Sequence, residues 1–174
     1  MTNERWLFLG VDIEVLTAPG APVLVARGVL PVGASPPFHV HDDLDDSFYV
    51  LDGDMVIRCG DDVWRATSGE WVQFPRGVPH TFRVLGRPAH ILIVHAHDSF
   101  MGAVRAIGQR VRDDGDTVAP TQARSPEEIA RAFAAHAITD VGPCMEQDEA
   151  ERWLGVIAAG RAGHVVSGGG GAAG

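Results

Sequence analysis

The chain has 174 residues, which fits one globular domain with at most a small appendage. The formal net charge of −9 argues against nucleic acid and anionic membrane surfaces as partners, and the hydrophobic content of 45% argues against general disorder. All 14 basic residues are arginine, which excludes enzymes that need a lysine for a Schiff base or a phosphate-binding loop.

The N-terminal region predicts neither export nor a membrane anchor. It carries the acidic residue Glu4 and only a short apolar run over residues 6–9, too short for a secretory signal or a membrane span. Cys59 and Cys144 lack the paired spacing of a zinc or redox motif. We therefore expect a cytoplasmic protein with two free thiols.

The first half of the chain predicts short β-strands at regular spacing. Apolar and polar residues mix over residues 6–16, and β-favouring segments then recur between turns rich in glycine, proline and aspartate. Asp52 and Gly53 predict a tight hairpin between two of these strands. The predicted strands cover residues 23–30, 47–51, 55–57, 63–66, 71–74, 81–85 and 89–96. Such a run is typical of a sandwich or barrel, and the apolar character of the last strand predicts its burial.

After residue 96 the hydrophobic periodicity becomes helical. One predicted helix begins near Asp98 or Ser99, either of which could cap its first turn. The second begins at Ser125, which forms a capping-box pattern with Glu128, and it extends to about His136. A third covers residues 146–159. The apolar face of the first helix consists of Phe100, Val104, Ile107 and Val111.

These patterns predict three parts of the chain. Residues 1–97 form a β-barrel domain, residues 98–166 form a helical C-terminal extension packed on the barrel, and residues 167–174 form a flexible glycine-rich tail. Within the extension, residues 112–122 are predicted to be a polar linker.

A histidine pair, His39 and His41, carries the strongest chemical signal. On an extended strand both imidazoles point to the same face, with Cα atoms about 7 Å apart. Two rings so placed can bind one ion. Pro36 and Pro37 cannot donate to a sheet ladder, so the approach to the pair is predicted to be irregular or at a sheet edge, with the pair at a strand start.

Two spaced motifs extend this pair. The first consists of Gly33, five residues, the pair, four residues, Asp46, six residues and Gly53. It resembles the first motif of the cupin superfamily. The second is formed by Gly69, Pro75, Gly77 and His80 at spacings of five, one and two residues. It resembles the second cupin motif.

The chain is thus similar, over about residues 22–97, to single-domain bacterial cupins related to quercetin 2,3-dioxygenase. The resemblance implies a mainly β fold, the double-stranded β-helix or jelly-roll barrel of cupins, with a small C-terminal helical appendage. It also implies a homodimer.

The resemblance further implies a divalent transition metal, whose ligands would be His39, His41, Asp46 and His80. Three imidazoles and a carboxylate suit iron, manganese, nickel, cobalt, copper or zinc, so the donor set does not select one metal.

Two positions depart from the family pattern. Asp46 replaces the usual glutamate and is shorter by one methylene, so it could bind the metal or act instead as the catalytic base. Its role could also pass to Asp42, Asp43 or Asp45, or the whole stretch could be a solvated acidic loop. Val84 stands where the second motif often has asparagine.

Each of the further candidate residues has two possible interpretations, one functional and one structural. His95 and His97 alternate on the last strand and could line the pocket or relay a proton, or could simply hydrogen-bond to backbone or water. Four aromatic residues could contact an aromatic substrate or merely pack the core. They are Phe38, Phe48, Trp71 and Phe74.

For function, the resemblance implies a metal-dependent oxygenase that uses O2 to cleave or oxidise an enol, a phenol or a flavonol-like molecule, with Asp46 as general base. The alternatives are a metal-dependent isomerase, dehydratase or cyclase, and a cupin that binds a small molecule without catalysis.

Overall fold

The structure is a computed structural model that describes residues 3–112 and 124–160. It contains two antiparallel β-sheets and three helices. The strands are β1 (Glu4–Phe8), β2 (Val11–Val15), β3 (Leu24–Leu30), β4 (Pro37–His41), β5 (Asp46–Asp52), β6 (Asp54–Cys59), β7 (Asp62–Thr67), β8 (Trp71–Phe74), β9 (His80–Val84), β10 (Ala89–His95), β11 (Gln109–Val111) and β12 (Ile138–Cys144). The helices are α1 (Ser99–Ile107), α2 (Pro126–Ala134) and α3 (Gln147–Ala158).

The seven-stranded sheet has the order β11-β1-β2-β3-β10-β5-β8, and the five-stranded sheet has the order β12-β4-β9-β6-β7. Buried apolar residues from both sheets form one continuous core. The predicted mainly β jelly-roll barrel with small C-terminal helices is confirmed.

Most predicted strands occur where the hydrophobic pattern placed them. In β3 and β10 every second residue is buried, as expected for strands with one face on the core. The burial predicted for the last strand is therefore confirmed for one face only. Residues 6–16, which gave no clear prediction, contain the end of β1 and all of β2, and these strands pair through a turn at Leu9 and Gly10.

The hairpin predicted at Asp52 and Gly53 is wrong. Strand β5 pairs with β10 and β8, whereas β6 pairs with β7 and β9, so the chain crosses between the sheets at this point. Gly53 has φ 127°, and a Cβ there would lie 2.6 Å from the Cβ of Ala89. Gly53 thus allows the backbone to turn sharply where it passes close to Ala89. A two-residue connection joins the next pair, where Cys59 faces Asp62.

The first helix is shorter than predicted. It ends at Ile107, and Val111 lies instead in β11, which pairs with β1. Its N-cap residue, Asp98, makes no side-chain capping hydrogen bond. The capping box of α2 is confirmed, because the Ser125 hydroxyl accepts from the Glu128 amide and the Glu128 carboxylate accepts from the Ser125 amide.

Besides the predicted helices, the chain after residue 97 adds β11 to one sheet and β12 to the other. Strand β12 pairs with β4 through two register shifts near Gly142, and its mixed, proline-containing sequence hides the strand pattern. The third helix packs outside the five-stranded sheet, with Trp153, Leu154 and Ile157 partly buried.

The predicted tail at 167–174 and nearly all of the predicted linker at 112–122 lie outside the described residues. None of the three described helices has the length and apolar character that crossing a membrane requires. Cys59 and Cys144 are free thiols, as predicted.

Candidate metal centre

The four predicted ligands come together from three strands. His39 and His41 lie on β4, His80 begins β9 directly opposite His39, and Asp46 begins β5 in the other sheet. Each side chain offers one ligand atom, and these four atoms all lie within 4.8 Å of one another. The cluster therefore joins the two sheets at one end of the barrel interior.

The three imidazoles are buried, with relative exposures of 8% for His39, 2% for His41 and 1% for His80. The Asp46 side chain is 19% exposed. The period of two in β4 is what places both of its histidines on the inner face, as the sequence predicted.

Backbone carbonyls fix two of the rings. The Nδ1 of His39 donates to the Pro37 carbonyl at 2.8 Å, and the Nδ1 of His80 donates to the Val78 carbonyl at 2.9 Å. Because a carbonyl can only accept, Nδ1 carries the proton in both rings and Nε2 keeps a free lone pair. This arrangement is common for metal-binding histidines.

An orphaned nitrogen tests whether a metal fits. The Nε2 of His80 is buried, has no hydrogen-bond partner, and lies 3.5 Å from Asp46 Oδ2. The Nε2 of His41 lies 3.9 Å from the same oxygen. A buried polar atom without a partner is costly, and an ion bound between these groups would satisfy it. The donor set and the orphaned nitrogen thus both fit a divalent transition metal.

Burial also sets the charge state of the cluster. Desolvation lowers the pKa of His39 and of His41 to about 4, so both rings are neutral at pH 7, the form that binds metal. Burial by itself would raise the pKa of Asp46, but the hydrogen bond from His95 at 2.7 Å holds that pKa well below its usual range. Asp46 is therefore an anion beside the neutral rings of His39 and His41.

A fourth buried histidine contacts Asp46 from behind. The Nε2 of His95 lies 2.7 Å from Asp46 Oδ1, and the His95 ring packs edge-on against Phe100. Oδ1 of the carboxylate thus accepts a hydrogen bond from His95, and Oδ2 faces His41 and His80. The Nδ1 of His95 is buried without a hydrogen-bond partner.

The cluster opens into a cavity of about 420 Å³ within the barrel. His39, His41, Asp46 and His95 contribute to its wall. Most of the remaining wall is apolar and comes from both sheets and from α1, α2 and β12. Its larger apolar side chains include Phe8, Ile13, Leu30, Phe48, Phe82, Ile91, Ile93, Phe100, Ile129, Phe133 and Ile138.

Residues 26–95, which include all four residues of the cluster, match the family model described as "Cupin domain". This chain contains a cupin domain.

A curated relative is similar over part of the same region. It is quercetin 2,3-dioxygenase from Bacillus subtilis (strain 168), which is 31% identical over an alignment of 89 residues that covers 47% of this chain. The match spans only a quarter, 25%, of that protein's length.

Two solved structures are also similar. The polyketide cyclase RemF from Streptomyces resistomycificus is 24% identical, with a TM-score of 0.45, over 51% of this chain and 66% of that one. A cupin 2 conserved barrel domain protein from Rhodopseudomonas palustris is 20% identical, with a TM-score of 0.46, over 51% of this chain and 62% of that one.

Within the cupin domain, the structure brings only one of the acidic candidates to the histidines. Asp45 accepts hydrogen bonds from the Arg76 amide and guanidinium instead, and Asp42 and Asp43 lie outside the cluster. Asp46 joins it because it begins β5 opposite Phe74 of β8.

The second departure from the cupin pattern has a packing explanation. Val84 is buried in the hydrophobic core, and its amide donates to the Ala34 carbonyl at 3.0 Å. Asparagine at this position would bring an amide into apolar surroundings.

The structure shows which of the other candidate residues lie at the cluster or the cavity. His97 lies away from the cluster and hydrogen-bonds to the Asp43 carbonyl at 3.2 Å. Of the four aromatic candidates, only Phe48 lines the cavity. The other three have different surroundings: Phe38 packs under the Arg58 guanidinium, Trp71 is 50% exposed and Phe74 stacks on His80.

Sequence reasoning missed four phenylalanines of the cavity. Phe82 could have been predicted from the sequence, because this residue lies two positions after His80 on a strand and therefore shares the inner face. The other three lie on β1, α1 and α2, and only the tertiary fold brings them to the barrel interior. They are Phe8, Phe100 and Phe133.

Proposed function

We propose that this cupin is a metal-dependent oxygenase, similar to quercetin 2,3-dioxygenase, that uses O2 to cleave or oxidise a small enol or phenol. The observation that carries the proposal is the position of the three-histidine, one-aspartate cluster at an apolar cavity of about 420 Å³. The 31% identity to a quercetin 2,3-dioxygenase over 89 residues supports the same choice of chemistry.

In this proposal His39, His41, Asp46 and His80 hold a divalent transition metal. The ion would supply a Lewis acid for an enol or phenol oxygen and, if redox-active, electron exchange with O2. The ligand types do not select among iron, manganese, nickel, cobalt and copper.

The remaining work falls to the chain's own residues. Asp46 is ionised and accepts the proton of the substrate hydroxyl. His95 donates from Nε2 to Oδ1 at 2.7 Å and so orients the carboxylate that takes the proton. The phenylalanine-rich wall holds the body of the substrate and excludes water from the reacting end.

An oxygen electrode tests the proposal. Protein is loaded separately with each of the five redox-active ions and supplied with 3-hydroxyflavone, and we expect O2 consumption with at least one. Asp46→Asn should lower the rate at least about 100-fold, because it removes the base. Asp45→Asn, whose carboxylate pairs with Arg76 outside the cluster, is the matched control and should keep the rate. An absence of O2 consumption with 3-hydroxyflavone and every ion would refute the oxygenase.

A second candidate is a metal-dependent isomerase, dehydratase or cyclase. The Asp46–His95 pair favours it, since a carboxylate and an imidazole 2.7 Å apart beside a metal can move a proton without any oxidant. Turnover of an enolisable ketone by zinc-loaded protein without air would favour this candidate, because zinc has no redox chemistry.

A further inference from the structure

The cavity wall is chemically one-sided. At one end lie the polar groups of the cluster and His95, and no arginine side chain is among the described residues that line the cavity. The chain has no lysine at all. A carboxylate or phosphate on a ligand would therefore find no cationic side chain among the described wall residues away from the cluster.

Among the described residues, two further polar side chains line the wall, and neither is a strong free hydrogen-bonding partner. The Ser35 hydroxyl already accepts the Met145 amide at 2.9 Å. Cys144 offers a thiol, which is a weak hydrogen-bonding group, and burial raises its pKa, so it is uncharged at neutral pH.

The backbone amides and carbonyls of the apolar wall are largely hydrogen-bonded within the protein already. Strands β3, β5 and β10 of the wall use their amides and carbonyls in sheet ladders. Three proline carbonyls near the cavity already have donors. The Pro31 carbonyl accepts from the Ala34 amide at 3.0 Å, the Pro36 carbonyl from Thr81 Oγ1 at 2.7 Å and the Pro37 carbonyl from His39 Nδ1 at 2.8 Å.

We propose that the cavity takes a small molecule whose polar groups are confined to one end, such as a monohydroxylated enol with an apolar aromatic body, and that it selects against polyhydroxylated molecules, carboxylates and phosphates. A hydroxyl buried against the phenylalanine wall loses its bonds to water and gains none. The inference rests on the proposed function, because it assumes that this cavity is the substrate site, and it restricts the substrate class beyond that proposal.

Binding to zinc-loaded protein tests the inference without turnover, because zinc does not exchange electrons with O2. The probes are 3-hydroxyflavone and quercetin, which share the enol end but differ in the hydroxyls on the body. Each unpaired buried hydroxyl costs about tenfold in affinity. Isothermal titration calorimetry should therefore give a Kd for 3-hydroxyflavone at least about tenfold lower than that for quercetin.

A matched pair of variants links binding to this wall. Phe82→Leu removes an aromatic ring that lines the cavity and should weaken 3-hydroxyflavone binding several-fold. Phe38→Leu changes a ring that packs under Arg58 outside the cavity and should leave binding unchanged.

Equal or tighter binding of quercetin would overturn the inference, and so would a failure of both probes to bind. Equal losses in the two variants would show that binding does not depend on this wall and would also overturn it. Selective binding without O2 consumption by any redox-active form would refute the oxygenase and leave the selectivity standing.

Discussion

At the scale of single residues, the position of Asp46 is the informative result. Its shorter side chain raised the question whether it could take part in the site at all. In the structure the two carboxylate oxygens have different neighbours. Oδ1 accepts a hydrogen bond from His95 at 2.7 Å, and Oδ2 faces His41 and His80 at 3.9 and 3.5 Å. His95 thus positions the aspartate that replaces the usual glutamate.

This role predicts the effect of removing the His95 imidazole. His95→Phe should weaken zinc binding about 10- to 100-fold, as loss of a group that orients a metal ligand typically does. His95→Gln, which keeps a side-chain donor, should recover part of that affinity. Chelator competition measures the affinity. His97→Phe is the matched control, because His97 lies outside the cluster and hydrogen-bonds to the Asp43 carbonyl, and an equal loss there would contradict the role of His95.

The buried histidines also predict how the metal-free protein responds to acid. A histidine normally titrates near 6.5, and His39 and His41 titrate at about 4 in the fold. Below pH 6.5 the unfolded chain therefore binds protons that the folded chain does not. The free energy of unfolding should fall as pH drops from about 6.5 to about 4, before most carboxylates titrate.

Urea denaturation of metal-free protein at several pH values measures this fall. In His39→Asn the slope between pH 6.5 and 4 should be shallower, because one of the two depressed groups is gone. A flat profile for the unsubstituted protein across that window would show that these rings do not resist protonation.

The sequence could predict the four cluster residues because their spacing around glycine and proline resembles the two cupin motifs, whose ligand positions the resemblance carries over. It could not predict the Asp46–His95 contact. That contact depends on β5 pairing with β10, where Phe48 faces Ile93, and such a register between strands far apart in the chain is not visible in either segment alone.

At the scale of elements, hydrophobic alternation predicted strand positions well but not strand partners. Asp52 and Gly53 have the composition of a hairpin turn, yet they lead the chain from one sheet into the other. Composition indicates that a glycine is needed. It does not say whether the glycine is needed for a hairpin turn or for a close approach between two strands. Here Ala89 of β10 leaves no space for a side chain at Gly53.

Gly53→Ala should therefore destabilise the protein by more than about 3 kcal/mol, since it combines a backbone conformation that suits only glycine with a Cβ contact of 2.6 Å. Gly86→Ala is the control. Gly86 also has a positive φ, of 57°, but an added Cβ meets nothing within 4 Å, so it should cost only about 1–2 kcal/mol. Thermal or urea unfolding compares them, and similar losses would contradict the close-approach explanation.

At the scale of the whole molecule, the C-terminal extension completes the barrel rather than only covering it. Strand β12 extends the sheet that carries the histidine pair, and Ile129, Phe133 and Ile138 close part of the cavity. The sequence predicted α2 and α3 from their periodicity, but a strand that pairs with β4 from nearly 100 residues away is a tertiary property. A homodimer and a cytoplasmic location stay predictions.

Metal content tests the central claim most directly. Protein is incubated with each divalent transition metal, freed of loosely bound ions by dialysis, and analysed by mass spectrometry of the elements. We expect one ion per chain in the unsubstituted protein and in His97→Asn, and loss of that ion in His80→Asn, which removes the orphaned buried nitrogen. Absence of bound metal in the unsubstituted protein, or full retention in His80→Asn, would contradict the account.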